Sequence, residues 1–206
     1  MRISKCWNFL VVFAVLALPK AADAAPLKIL KVNAPAVNCV FRTNCTIPVT
    51  DSTGIIAMPL LKVPGTVWMQ SRTFTGAANT PAAGLTGYEY RLSMTQAAGT
   101  GECIVGFTIN FGPVAQLPYQ QNNQAHVYVV TTGGLGSIGL KSADQDGDVI
   151  TFEFEIPICV PLAPSLKATT FFFGLASTHA PKKTTASAYA FGDPPFYSFD
   201  VRTPNH

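Results

Sequence analysis

Three carboxylates alternate along Asp144-Gln145-Asp146-Gly147-Asp148, as they do in calcium loops built from oxygen ligands. Charges of one sign placed this close repel one another without a cation between them. Asp144, Asp146 and Asp148 are therefore the candidate metal ligands, and calcium is the cofactor they suggest. The pattern is not an EF-hand. Glu155 falls at the twelfth position, but the sixth is Val149 where that loop needs glycine, and the residues that should form the exiting helix read as a strand. The competing reading is a tight hairpin turn, with Asp146-Gly147 supplying positive φ between strand residues 137–141 and 149–156.

A second pair of carboxylates, Glu153 and Glu155, projects from one strand face. Glycoside hydrolysis needs two such groups across a gap of about 5 to 9 Å. Exposed glutamates at i, i+2 are more often solubilising, and the third carboxylate of the Glu-x-Asp-x-x-Glu motif of sandwich glycosidases is missing. Ser177-Thr178-His179 places a hydroxyl beside an imidazole, but only as sequence neighbours, and no Gly-x-Ser-x-Gly elbow occurs. The glycine-rich stretch 133–139 leads into a strand and not into a helix whose N-terminus could hold phosphate. No catalytic residues are assigned. For ligand binding, Trp68 and Tyr119 are the aromatic candidates, Tyr119 standing beside the amide-rich stretch 120–124.

Residues 1–24 carry Arg2 and Lys5, an apolar run over 7–18, and Ala22-Asp23-Ala24, the basic head, hydrophobic middle and small-residue exit of a secretory leader. Export to the extracellular space or the periplasm is the expected localisation. Residues 25–206 then form the mature chain, with 11 basic and 10 acidic side chains and a net charge of +1. Such a chain lacks the cationic surface that drives nucleic-acid binding, and after the leader no segment approaches the roughly 18 to 20 apolar residues of a membrane span. Cys39, Cys45, Cys103 and Cys159 remain, an even set in an oxidising compartment, and two bridges are expected. The short loop CVFRTNC favours Cys39 with Cys45, leaving Cys103 to join Cys159 across two strands.

The elements that must position these residues are strands. Runs rich in Val, Ile, Thr, Phe and Tyr occupy 27–32, 55–63, 66–74, 88–95, 103–111, 126–131, 149–159, 169–175 and 196–202, and none shows a sustained 3.6-residue apolar period. In the fourth run Tyr88, Tyr90, Leu92 and Met94 face one way and Glu89, Arg91, Ser93 and Thr95 the other. In the seventh, Ile150, Phe152, Phe154 and Ile156 form the inner face. The expected fold is a single all-β domain, a two-sheet antiparallel β-sandwich of jelly-roll or immunoglobulin-like type, with a closed β-barrel as the alternative. Phe171-Phe172-Phe173 cannot all enter one core, because successive strand residues point to opposite faces. Either both faces are covered, or Phe172 is exposed and contacts another subunit. The expected function is that of a secreted, non-catalytic binding or cell-surface structural module, with a carbohydrate-directed protein, lectin-like or hydrolytic, as the alternative. The expected partners are carbohydrate or further copies of the chain.

Overall fold

Period-two alternation assigns most side chains of this protein to a face, and the computed structural model shows which faces are covered. It describes residues 24–59, 61–99, 102–120, 123–160, 168–191 and 196–206; apart from Ala24, the expected leader lies outside them. In chain order the elements are β1 (Ala25–Pro26), β2 (Ile29–Asn33), α1 (Ala34–Phe41), β3 (Thr50–Ile55), β4 (Trp68–Thr75), β5 (Thr86–Ser93), β6 (Cys103–Asn110) and β7 (Leu117–Gln120). There follow β8 (Asn123–Ala125), β9 (Val127–Thr132), β10 (Leu140–Asp146), β11 (Val149–Cys159), β12 (Phe172–Ser177), β13 (Pro181–Ala190) and β14 (Phe196–Pro204).

Two six-stranded sheets pack face to face, one ordered β1-β10-β11-β6-β13-β14 and the other β2-β9-β12-β5-β4-β3. This is a β-sandwich and not a closed barrel. The first sheet is antiparallel throughout. The second departs from the expected antiparallel pattern at one edge, where β2 runs parallel to β9. These two strands are separated by most of the sheet's sequence, so no hairpin constrains their relative direction.

The core lies between the sheets. Tyr88, Tyr90 and Leu92 of β5 point inward, as alternation requires, and meet Phe107 and Ile109 of β6 and Ile150 and Phe152 of β11. Phe173 packs against this group, with its ring 5.3 Å from Phe152, which stacks on Phe107 at 4.9 Å. The two buried phenols are satisfied by backbone: Tyr88 donates to the His179 carbonyl at 2.8 Å and Tyr90 to the Arg202 carbonyl at 2.7 Å. Ile156, expected inside, is 58% exposed. The pairing of β11 with β6 shifts between Glu153 and Ile158, and this irregularity turns Ile156 out and Ile158 in.

A third layer covers the outer face of the second sheet. It begins with α1, which strand-period reading overlooked. Asn33 caps the helix by accepting from the Ala36 amide at 2.8 Å, Pro35 sits in the first turn, and the Arg42 amide closes the other end on the Asn38 carbonyl. Val37, Val40 and Phe41 face the sheet, and the Phe41 ring meets Phe74 of β4 edge-on at 4.8 Å. The β7–β8 hairpin extends the cover, setting Tyr119 against Tyr128 of β9 at 4.7 Å. These residues enclose a second apolar cluster that includes Val130 and Phe172. Both faces at the phenylalanine run are therefore covered. Phe172 is only 4% exposed, which removes it as a contact for another subunit.

Both disulfides form as expected, Cys39 with Cys45 and Cys103 with Cys159. The first ties the last turn of α1 to the loop that follows it. The second joins directly opposed residues of β6 and β11. Among the described residues no helix is long and apolar enough to cross a membrane.

Candidate functional site

Strand register builds one continuous row across the outer face of the second sheet: Leu30, Tyr128, Gly174, Glu89, Arg72 and Asp51, each opposite the next. Its centre is Glu89. Alternation along β5 does turn this residue away from the main core, but α1 and residues 133–135 cover that face, and Glu89 is left 8% exposed. Tyr128 donates its hydroxyl to Glu89 Oε1 at 3.0 Å. The phenol reaches across β12 because position 174 is glycine; a Cβ there would lie 2.6 Å from the Tyr128 hydroxyl oxygen. No other donor among the described residues bonds the Glu89 carboxyl.

Burial pushes Glu89 up to about 7, against the lowering effects of the Tyr128 hydrogen bond and the Arg72 charge. Tyr128 itself is raised well above the ordinary phenol value, first by burial and then by the Glu89 charge. Arg72 stands beside Glu89 with its Nε 2.8 Å from Asp51 Oδ1 and its guanidinium carbon 4.2 Å above the Phe172 ring. Among the described residues Nε is the only nitrogen of this guanidinium with an acceptor, so both Nη groups keep their donors free.

Beside this row runs a second. Arg91 donates through Nε and Nη2 to Gln70 Oε1 at 3.2 and 3.1 Å, and Gln70 donates in turn to Asp51 Oδ1 at 3.0 Å. Arg91 lies over both Trp68 and Phe172, 5.0 Å from each ring centre. Its ionisation is lowered, first by burial and then by the charge of Arg72.

Above Glu89 and Arg72 opens a recess of about 380 Å³, walled by Val37, Phe74, Val130, Leu135 and Phe172. This is a concavity of mixed lining, with apolar walls and a small set of polar side chains, Asn38, Arg72 and Glu89, of the kind that small-molecule sites use. It does not suit glycoside hydrolysis. Among the described residues Glu89 is the only carboxylate lining the recess, and Asp51, beyond Arg72 in the row, does not border it.

The residues expected from sequence to form sites are not brought together here. Asp144 and Asp146 lie in β10, and Asp148 lies in the two-residue loop Gly147-Asp148, one position beyond the expected turn. Only Gly147 there takes a positive φ, +55°. The Asp148 carbonyl accepts from the amides of Phe111 and Gly112, and its carboxylate stands 3.8 Å from His206 Nε2. Among the described residues no three His, Cys, Asp or Glu side chains come together as metal ligands. Glu153 pairs with Lys141 and Glu155 with Lys31, in separate surface ion pairs. Ser177 is buried and accepts from the His179 amide. Trp68 borders the site only through Arg91. Tyr119 borders a wider groove of about 780 Å³ between α1 and β7, with its hydroxyl buried and unpartnered among the described residues.

Glu89, Arg72 and the recess itself were not singled out by sequence. The one available signal was the juxtaposition of glutamate and arginine on an otherwise uncharged strand face, and burial alone distinguishes that from a solvated surface. No known family, curated protein or solved structure matches this chain, which leaves the geometry of the recess as the guide to function.

Proposed function

We propose that this protein is an exported, non-catalytic binding module that holds a small amphiphilic molecule in the recess over Glu89. The observation that carries the reading is a buried carboxyl that titrates near 7, beside an arginine with free donors, at the floor of a recess with apolar walls. A group of this kind destabilises a fold unless something else is gained, and such perturbed groups in clefts concentrate at functional sites. Export is supported by the apolar leader and by two disulfides, which are characteristic of oxidising compartments. Among the described residues Glu89 is the only carboxylate lining the recess, whereas glycoside hydrolysis uses two.

The test is fluorescence of the neutral apolar dye N-phenyl-1-naphthylamine. Wild-type protein enhances its emission saturably, while Val130→Trp, which fills the recess with apolar volume, abolishes the enhancement with the far-ultraviolet circular dichroism unchanged. No enhancement with wild type, or equal enhancement with the filled variant, refutes the reading. The thermal melt of each sample establishes that it is folded.

A further inference from the structure

We propose that the recess takes a monocarboxylate with an apolar body, its carboxylate set against the Arg72 guanidinium and the Glu89 carboxyl. The inference rests on the binding reading above and names the chemistry of the ligand.

Charge decides the head group. Arg72 and Glu89 are the ionisable residues bordering the recess. Asp51 already engages Arg72 through Nε, which leaves the Nη edge to meet a planar two-oxygen acceptor, the geometry that suits a carboxylate. Glu89 Oε1 is occupied by Tyr128. A protonated Oε2 can donate to the second oxygen of the ligand, so that the two carboxyl groups share one proton and the remaining negative charge faces the Nη edge of Arg72. A cationic head would instead meet Arg72 at close range.

The walls decide the body. Val37, Phe74, Val130 and Phe172 offer no hydrogen-bonding side chain, and Asn38 is the one uncharged polar side chain in the lining. The mouth is apolar as well: Leu135 is 57% exposed and Val49 42% exposed at its rim. An alkyl or aryl chain leaving the recess would cover both.

Binding is therefore linked to a proton. When Glu89 is ionised, a ligand carboxylate brings a second negative charge to the same spot, and the complex forms only as Glu89 takes a proton from solvent. The groups facing Glu89 are Tyr128 from β9, Arg72 from β4 and Asp51 from β3, with Tyr119 of β7 coupled to it electrostatically. From β12 it meets Gly174, and α1 and residues 133–135 contribute no ionisable side chain to the recess. Glu89 is thus the group in this recess whose protonation changes near pH 7.

The experiment is isothermal titration calorimetry of the full mature protein with octanoate and with octan-1-ol, at pH 6 and pH 8, together with displacement of the dye. Octanoate binds at least tenfold more tightly than octan-1-ol at pH 6. Because only the protonated fraction of a group titrating near 7 accepts it, octanoate binds about tenfold more weakly at pH 8, and about one proton is taken up per molecule bound at pH 8. Octan-1-ol shows neither effect. Glu89→Gln makes octanoate affinity the same at both pH values, and Arg72→Met removes the preference over the alcohol. Equal binding of octanoate and octan-1-ol, with both displacing the dye, overturns the carboxylate inference while leaving the binding reading intact. No heat with either ligand and no dye fluorescence overturns both. The wild-type comparisons stand even if a variant fails to fold.

Discussion

Tyr128 donates to Glu89 across a strand that belongs to neither of them, and Gly174 of that strand is the residue that lets it pass. A Cβ at position 174 would also fall 2.3 Å from the Tyr88 carbonyl oxygen, which is backbone and has little room to move. Gly174→Ala is expected to destabilise the protein by about 1 to 3 kcal/mol through overpacking. Tyr128→Phe, which leaves the space unchanged, removes the only donor that the described residues offer to a buried carboxyl, at a similar cost of about 1 to 3 kcal/mol. Urea unfolding at pH 7 checks both. The phenylalanine variant additionally raises the Glu89 titration further, since the lost bond favoured the charged form.

Glu89 makes stability fall with rising pH. Its folded value near 7 lies above the ordinary value of 4.5, so the folded state binds more protons through that window. Stability is greatest below the unfolded value and declines until pH passes the folded one, by about 3 kcal/mol in total. Glu89→Gln carries no such proton. The unfolding free energy of wild type minus that of Glu89→Gln should therefore drop by about this amount between pH 4.5 and 8. A difference independent of pH would mean that the carboxyl is hydrated.

Much of the sandwich was legible because its inner strands alternate strongly; Tyr88, Tyr90 and Leu92, or Ile150 and Phe152, can face only one way at once. Strand β13 escaped notice because its inward residues are Ala186 and Ala188, too small to register as strand formers. The helix escaped because eight residues with one buried stripe show little periodicity, although Asn33 and Pro35 mark its start. The site was illegible for a different reason. Alternation correctly turned Glu89 away from the core, and its burial depends on α1 and residues 133–135, which approach from far along the chain. A strand pattern reports orientation and does not report what lies above.

The two disulfides should differ in importance. Cys103–Cys159 closes a span of 56 residues and Cys39–Cys45 a span of 6. In the chain-entropy account their removal costs about 4 and about 2 kcal/mol respectively. Replacing each pair by serine and comparing urea midpoints tests the order. Loss of the shorter bridge should act more on ligand binding, because it anchors the helix that roofs the recess.

At the aspartate hairpin the backbone matters more than the charges. Gly147 has φ +55° and open space around it, so Gly147→Ala is expected to cost about 1 kcal/mol from conformation alone. Millimolar calcium should leave the melting temperature unchanged, whereas a rise that Asp146→Asn and Asp148→Asn abolish would establish the loop as a cation site.

The most direct test of a proton-bearing carboxyl at the floor of the recess is its own titration. Carbon-detected nuclear magnetic resonance of the glutamate side chains, with Glu89 assigned by its absence in Glu89→Gln, should show one carboxyl with a midpoint near 7 that moves upward by about two units or more when octanoate saturates the protein. A Glu89 midpoint near 4.5, unmoved by octanoate, would contradict the account.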